Sequence, residues 1–161
     1  MSKEKTKDLL IIGIGNSGRS DDGLGWQLLG FISKSFPEIE CLYRYQLQVE
    51  DASIISSYDS VIFIDATQEE TEKGYYFRPC SRNKGFGLTS HALEPSTVLW
   101  LENKLFNNNP ASYILGIQGY KWELSSDPSE NGLINLNRAM EFVKLKLSTF
   151  QNQGYDVSHV L

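Results

Sequence analysis

The chain has 161 residues, 40% of them apolar and 22% charged, which is enough to bury one core and excludes wholesale disorder. Its net charge of -5 argues against nucleic acid or an anionic membrane as partner. The polar opening MSKEKTKD, the lack of a spanning apolar run and two unpaired cysteines, Cys41 and Cys80, predict a cytoplasmic chain with reduced, buried thiols.

Leu9 to Ile14 is a short, continuous apolar run, as expected of a strand buried on both faces. It runs into Gly13-Ile14-Gly15-Asn16-Ser17-Gly18, the G-x-G-x-x-G spacing of a dinucleotide-binding turn. A pyrophosphate cradle needs a helix opening on those glycines, but apolar periodicity starts only at Leu24, about a turn too late. The ribose-binding acid expected at the end of the second strand is replaced by Tyr45-Gln46-Leu47. Asp21 and Asp22 would moreover repel phosphate, so the loop reads as a holder of carboxylates. Asp21 fits an acid capping free helix amides, whereas a second adjacent acid before Gly23 is left over for function. Asn16 is expected to brace the loop through side-chain to backbone bonds, and Arg19 to pair with an acid or substrate or to stay solvated.

Leu24 to Phe36 predicts a helix, with Pro37 just beyond its end. Cys41 to Leu47 predicts a second strand and Asp51 to Ser57 a short helix. Ser60 to Asp65 is a third, β-branched strand ending on an acid, and Gly74 to Pro79 a fourth near an edge, where Pro79 does little harm. Ala92 to Phe106 predicts a helix that Ser90 is placed to cap. Asn107-Asn108-Asn109-Pro110 marks a turn and Tyr113 to Gln118 a fifth strand. Leu136, Met140, Val143 and Leu147 lie at helical spacing in a last helix, and residues 1–7 and 151–161 read as loose ends. Without repeats or linkers, the alternation predicts a single three-layer α/β/α domain over 1–161 with a mostly parallel sheet.

In such sheets, sites gather beyond the carboxyl ends of strands, where the connections reverse direction. If the first and third strands flank that point, Asp22 and Asp65 meet there. His159 lies three residues from the end and reads as solvated tail, which leaves His91, in Thr89-Ser90-His91-Ala92-Leu93-Glu94-Pro95, as the candidate imidazole. One imidazole and two carboxylates form an N/O ligand set for a divalent transition metal, with positions left open for substrate or water. A capping acid, a loop-opening acid and a structural histidine remain the alternative.

Gly13-x-Gly15-Asn16, Asp21-Asp22-Gly23-x-Gly25, Ile64-Asp65-Ala66 and Ser90-His91-Ala92-Leu93-x-Pro95, in this order, resemble the hydrogenase maturation proteases. The resemblance runs from about Leu9 to Leu147. It implies a five-stranded, phosphorylase/hydrolase-like sheet with one antiparallel strand, for which Tyr75-Tyr76-Phe77 is the candidate. It further implies an endopeptidase that trims the C-terminal extension from the large-subunit precursor of a [NiFe] hydrogenase. Asp22, Asp65 and His91 map to the residues that engage nickel, supplied by the substrate or replaced by a surrogate divalent metal, and Gly13, Gly15, Asn16, Asp21, Gly23 and Gln46 map to the supporting loops. Tyr45-Gln46-Leu47 resembles the second strand of enzymes serving soluble, bidirectional-type hydrogenases. The expected partner is that precursor, with no nucleic acid or membrane, and the expected state is a monomer. The competing readings are a non-catalytic nickel or hydrogenase-subunit binding module of the same fold, a nucleotide-binding protein and a general metallopeptidase.

Overall fold

The computed structural model describes residues 6–83 and 93–153. β1 (Lys7–Ile14) is buried from Leu9 onward, which is why a continuous apolar run encodes it. A single 3-10 turn (Ser20–Gly23) leads straight into α1 (Leu24–Ser35). The helix starts where the apolar periodicity starts and closes with the Phe36 amide on the Ile32 carbonyl. Then come β2 (Glu40–Arg44), α2 (Asp51–Ile55), β3 (Tyr58–Thr67), β4 (Tyr75–Pro79), α3 (Pro95–Leu105), β5 (Ala111–Gln118) and α4 (Glu130–Gln153).

The strands form one sheet in the order β2-β1-β3-β5-β4. All neighbours are parallel except β4, which runs antiparallel to β5 at the edge, as expected for Tyr75-Tyr76-Phe77. From β1 the chain crosses over α1 to β2, then returns over α2 to β3 on the other side of β1. The direction reverses between β1 and β3, so a crevice opens where their carboxyl ends diverge.

Successive residues point to opposite faces, and each face has its own core. Leu9, Ile11, Ile62, Ile64, Leu115 and Ile117 pack with Leu28, Leu29 and Ile32 of α1 and with Leu136, Val143 and Leu147 of α4. Leu10, Ile12, Val61 and Phe63 pack with Ala52 and Ile55 of α2 and Val98 and Leu99 of α3. Each fully buried aliphatic side chain contributes about 1.5–3 kcal/mol, so the two layers hold the sheet from both sides.

Several boundaries differ from expectation. β2 stops at Arg44, because Leu47 turns away to bridge Leu93 and is buried there. α2 ends at Ile55, and β3 already begins at Tyr58, continuing two residues past Asp65 along β5. α3 starts at Pro95, not Ala92: proline suits the first helical position, where no amide is needed, and it holds Glu94 extended before it. The cap residue is therefore Glu94, without a side-chain bond, and Ser90 lies outside the described residues. Secondary structure also reaches into both segments read as loose ends, at Lys7 and through Gln153. The predicted turn is present, with Asn107 and Asn109 at φ 56° and 55°, a region asparagine tolerates. Both cysteines are free and only half-buried.

Candidate active site

The glycine loop is shaped by contacts that side chains would block. At Gly15, φ is 152° and a Cβ would lie 2.1 Å from the Asp22 carbonyl oxygen. At Gly25 a Cβ would lie 2.9 Å from the Ile14 carbonyl oxygen and 3.1 Å from that of Ile64, so α1 starts directly on the ends of β1 and β3. Gly13 lets Leu29 of α1 pack on the sheet, and Gly23 lets the 3-10 turn close on Ser17. Asn16 braces the loop as expected, its Oδ1 accepting the Gly18 amide at 2.9 Å and its own amide donating to the Asp22 carbonyl at 3.2 Å.

Asp21 does not cap the helix that follows it. It is fully buried and points away, to the chain between β5 and α4. Its carboxylate accepts the amides of Tyr120 at 2.7 Å, Lys121 at 3.0 Å and Ser129 at 2.7 Å, and the Ser129 hydroxyl at 2.6 Å. Ser129 in turn caps α4 by accepting the Gly132 amide at 2.9 Å. Burial alone would raise the Asp21 pKa, but the Ser129 hydroxyl and the three amides outweigh it and hold the carboxyl below the usual carboxylate range. Further bonds, from the Ser20 amide to Ser125 O and from the Ser20 hydroxyl to Glu123 O, stitch the two loops together.

Asp22 faces the other way. Its carboxyl is pushed up by burial, offset by the Arg19 charge and the Asn16 amide. Asp65 sits on β3 just beyond the last pairing with β1, in the crevice below α1. A Cβ on Gly25 would lie 3.4 Å from its Cα, so the helix that carries the loop rests on it. Burial, then the Asp22 charge, push the Asp65 carboxyl up to about 7, against one bond from the Ala66 amide. The two acids thus meet at the switch point. Among the described residues neither forms an ion pair, so two half-hidden carboxylates face each other with only exposed Arg19 to offset them. That is a site short of positive charge, which suits a cation or a cationic centre.

Asn16, Arg19, Asp22, Tyr45, Gln46, Gln68 and Trp122 line an open pocket of about 400 Å³, which Asp22 faces. Gln46 is therefore at the site, exposed on its rim. A hollow of about 430 Å³ lies at the opposite end of the sheet, around Thr6, Lys7, Glu40 and Tyr58. There Lys7 and Glu40 pair with each other at 2.7 Å. His91 lies outside the described residues, as does His159. Among the described residues, no group of three His, Cys, Asp or Glu side chains is gathered closely enough to hold a metal. The thiols offer no nucleophile: burial raises Cys41 to about 11 and raises Cys80 as well.

Some site features were not read from the sequence. Trp26 donates its indole N–H to the Gly13 and Arg44 carbonyls at 3.2 and 3.1 Å, tying the ends of β1 and β2, and supports Tyr43 and Tyr45 by ring contacts. In sequence Trp26 is one more apolar residue of an amphipathic helix. The stretch from Gly119 to Ser129, rich in turn residues, carried no signal that it would wall the pocket.

Carboxylates held at the switch point of a three-layer α/β sheet with one antiparallel edge strand define the class. Solved structures that share this fold include hydrogenase maturation proteases. The [NiFe] hydrogenase maturation protease HycI from Thermococcus kodakarensis superposes with a TM-score of 0.65 over 85% of this chain and 90% of its own, at 22% identity. The hydrogenase maturating endopeptidase HybD from Escherichia coli gives 0.69 over 91% and 94%, at 15% identity. A hydrogenase 2 maturation peptidase from a Thaumarchaeota archaeon gives 0.64 over 88% and 99%, at 21% identity. At such identities the likeness establishes the fold. No protein-family model matches the sequence, and no curated protein matches it significantly. No helix among the described residues is long and apolar enough to cross a membrane.

Proposed function

We propose that the protein is a hydrogenase maturation endopeptidase, cutting the C-terminal extension from the large-subunit precursor of a [NiFe] hydrogenase once nickel is installed. The observation that carries this reading is the meeting of Asp22 and Asp65 at the β1/β3 switch point, where neither forms an ion pair among the described residues and only exposed Arg19 offsets Asp22. Nickel arrives as part of the substrate, bound to thiolates of the precursor. Asp22, Asp65 and His91 engage it from the protease side, and the incomplete ligand set is completed by the substrate itself. Cleavage then reports that the metal is loaded. Hydrolysis uses a water whose proton is taken by a carboxylate, with the scissile carbonyl held beside it. The fold shared with solved maturation proteases supports the reaction class.

The test is incubation of the protein with nickel-loaded and nickel-free precursor, followed by mass spectrometry of the large subunit. Loss of the tail from the loaded form alone is expected. An intact tail at excess protein would overturn the endopeptidase reading, and equal trimming of both forms would overturn the role of nickel. Asp22→Ala, Asp65→Ala and His91→Ala are each expected to abolish processing.

A further inference from the structure

Tyr76 lies on β4, the antiparallel edge strand. On β4 the residues alternate: Tyr75 and Phe77 turn to one face and pack on Phe142 of α4. Tyr76 turns to the other, the face of Asp65. The sheet register aligns Asp65 with Gly116 of β5 and Gly116 with Tyr76, so the three stand in one row across β3, β5 and β4.

Gly116 decides what happens next. A Cβ there would lie 2.3 Å from the Tyr76 Cζ and 2.7 Å from its hydroxyl oxygen. The ring therefore lies down across the glycine, and its hydroxyl sits over β5, not above its own strand. Neighbouring strands are about 4.8 Å apart, so this brings the hydroxyl to within roughly one strand spacing of Asp65. From outside, the Arg78 guanidinium covers the ring 3.8 Å from its centroid, and Glu69 fixes Arg78 through two bonds of 3.0 and 3.1 Å. The ring is thus pinned between Gly116 and Arg78, with its hydroxyl over Gly116 and the Thr67 side chain in hydrogen-bonding reach of it.

We propose that the Tyr76 hydroxyl donates a hydrogen bond to the oxygen of the scissile carbonyl, making Tyr76 a catalytic residue; this rests on the endopeptidase reading. Water adds to the carbonyl carbon while its proton passes to a carboxylate of the site. The oxygen that gains negative charge is the one facing Tyr76. The C–N bond then breaks, the proton moves to the departing amine, and a free carboxylate remains on the large subunit. A donor aimed at the oxygen that becomes charged stabilises the tetrahedral state more than the ground state. The hydroxyl is also in the right form: burial, with smaller pushes from Glu69 and then Asp65, raises its pKa despite Arg78 and Thr67, so it stays protonated at neutral pH.

Tyr76→Phe retains ring and stacking and removes only the donor. Processing of nickel-loaded precursor is expected to show kcat lowered about 100-fold, KM within about twofold and an unchanged melting temperature. Gly116→Ala, which displaces the ring, is expected to give a comparable loss in kcat, with circular dichroism showing the fold intact. Wild-type kcat in Tyr76→Phe, or a loss confined to KM, overturns the assignment. If the wild-type protein itself leaves the precursor uncut, the endopeptidase reading falls as well. Cutting by the wild type together with undiminished cutting by Tyr76→Phe removes Tyr76 alone.

Discussion

Asp21 and Asp22 are the same side chain at adjacent positions, yet they do different work. Asp21 is a buried anion with four donors, and removing its charge leaves amides that nothing else satisfies. Asp21→Asn is expected to cost about 2–3 kcal/mol in urea unfolding at pH 7, since its NH2 group would confront donors. Because the folded carboxyl titrates below its unfolded value, its stabilisation is present above about pH 4 and fades as pH falls through the folded value. The gap between wild type and Asp21→Asn should therefore close in acid; a gap that persists at pH 2 would show that the charge is not what stabilises. Asp65 carries the opposite sign. Its folded pKa, about 7, lies above the unfolded one, so in the metal-free protein stability falls as pH rises from about 4 to 7. Asp65→Asn should melt at least about 2–4 °C above wild type at pH 8, with the difference vanishing near pH 4. A lower melting temperature at pH 8 would contradict this.

The element that joins these residues is α1, seated on the strand ends at Gly25. A methyl group there meets two strand carbonyl oxygens at 2.9 and 3.1 Å, and backbone does not yield as a side chain tip would. Gly25→Ala is expected to lift the helix start, lower stability by about 1–3 kcal/mol and reduce processing more than that loss accounts for, because Asp22 moves off Asp65. Thermal melts and precursor cleavage measured together would check it. The strand patterns were legible in the residues: β1 and the Val61–Ile64 centre of β3 are continuous apolar runs, and the turn at Asn107–Asn109 was marked by its composition. The ends of β2 and β3 were not. Leu47 leaves its strand because Leu93 is opposite it, and β3 continues past Asp65 because β5 is there to pair with it.

At the scale of the molecule, the two cores on either side of the sheet exclude Asp22 and Asp65. Asp22→Ala and Asp65→Ala are accordingly expected to unfold in one cooperative transition, neither melting far below wild type, while losing processing. A broad or biphasic melt would place them in the packing. The pattern of acids and glycines along the chain was enough to say that the first loop holds a carboxylate and that Asp65 closes a buried strand, because those depend on local periodicity and on what a glycine permits. Which of two neighbouring acids turns inward, how the Tyr76 ring comes to lie across Gly116 in the row of Asp65, and that the stretch after β5 walls the pocket were decided by tertiary structure alone. Each depends on groups about 10 to 100 residues away supplying a donor, a vacant Cβ or a pairing edge, and nothing in the local sequence encodes where those partners arrive.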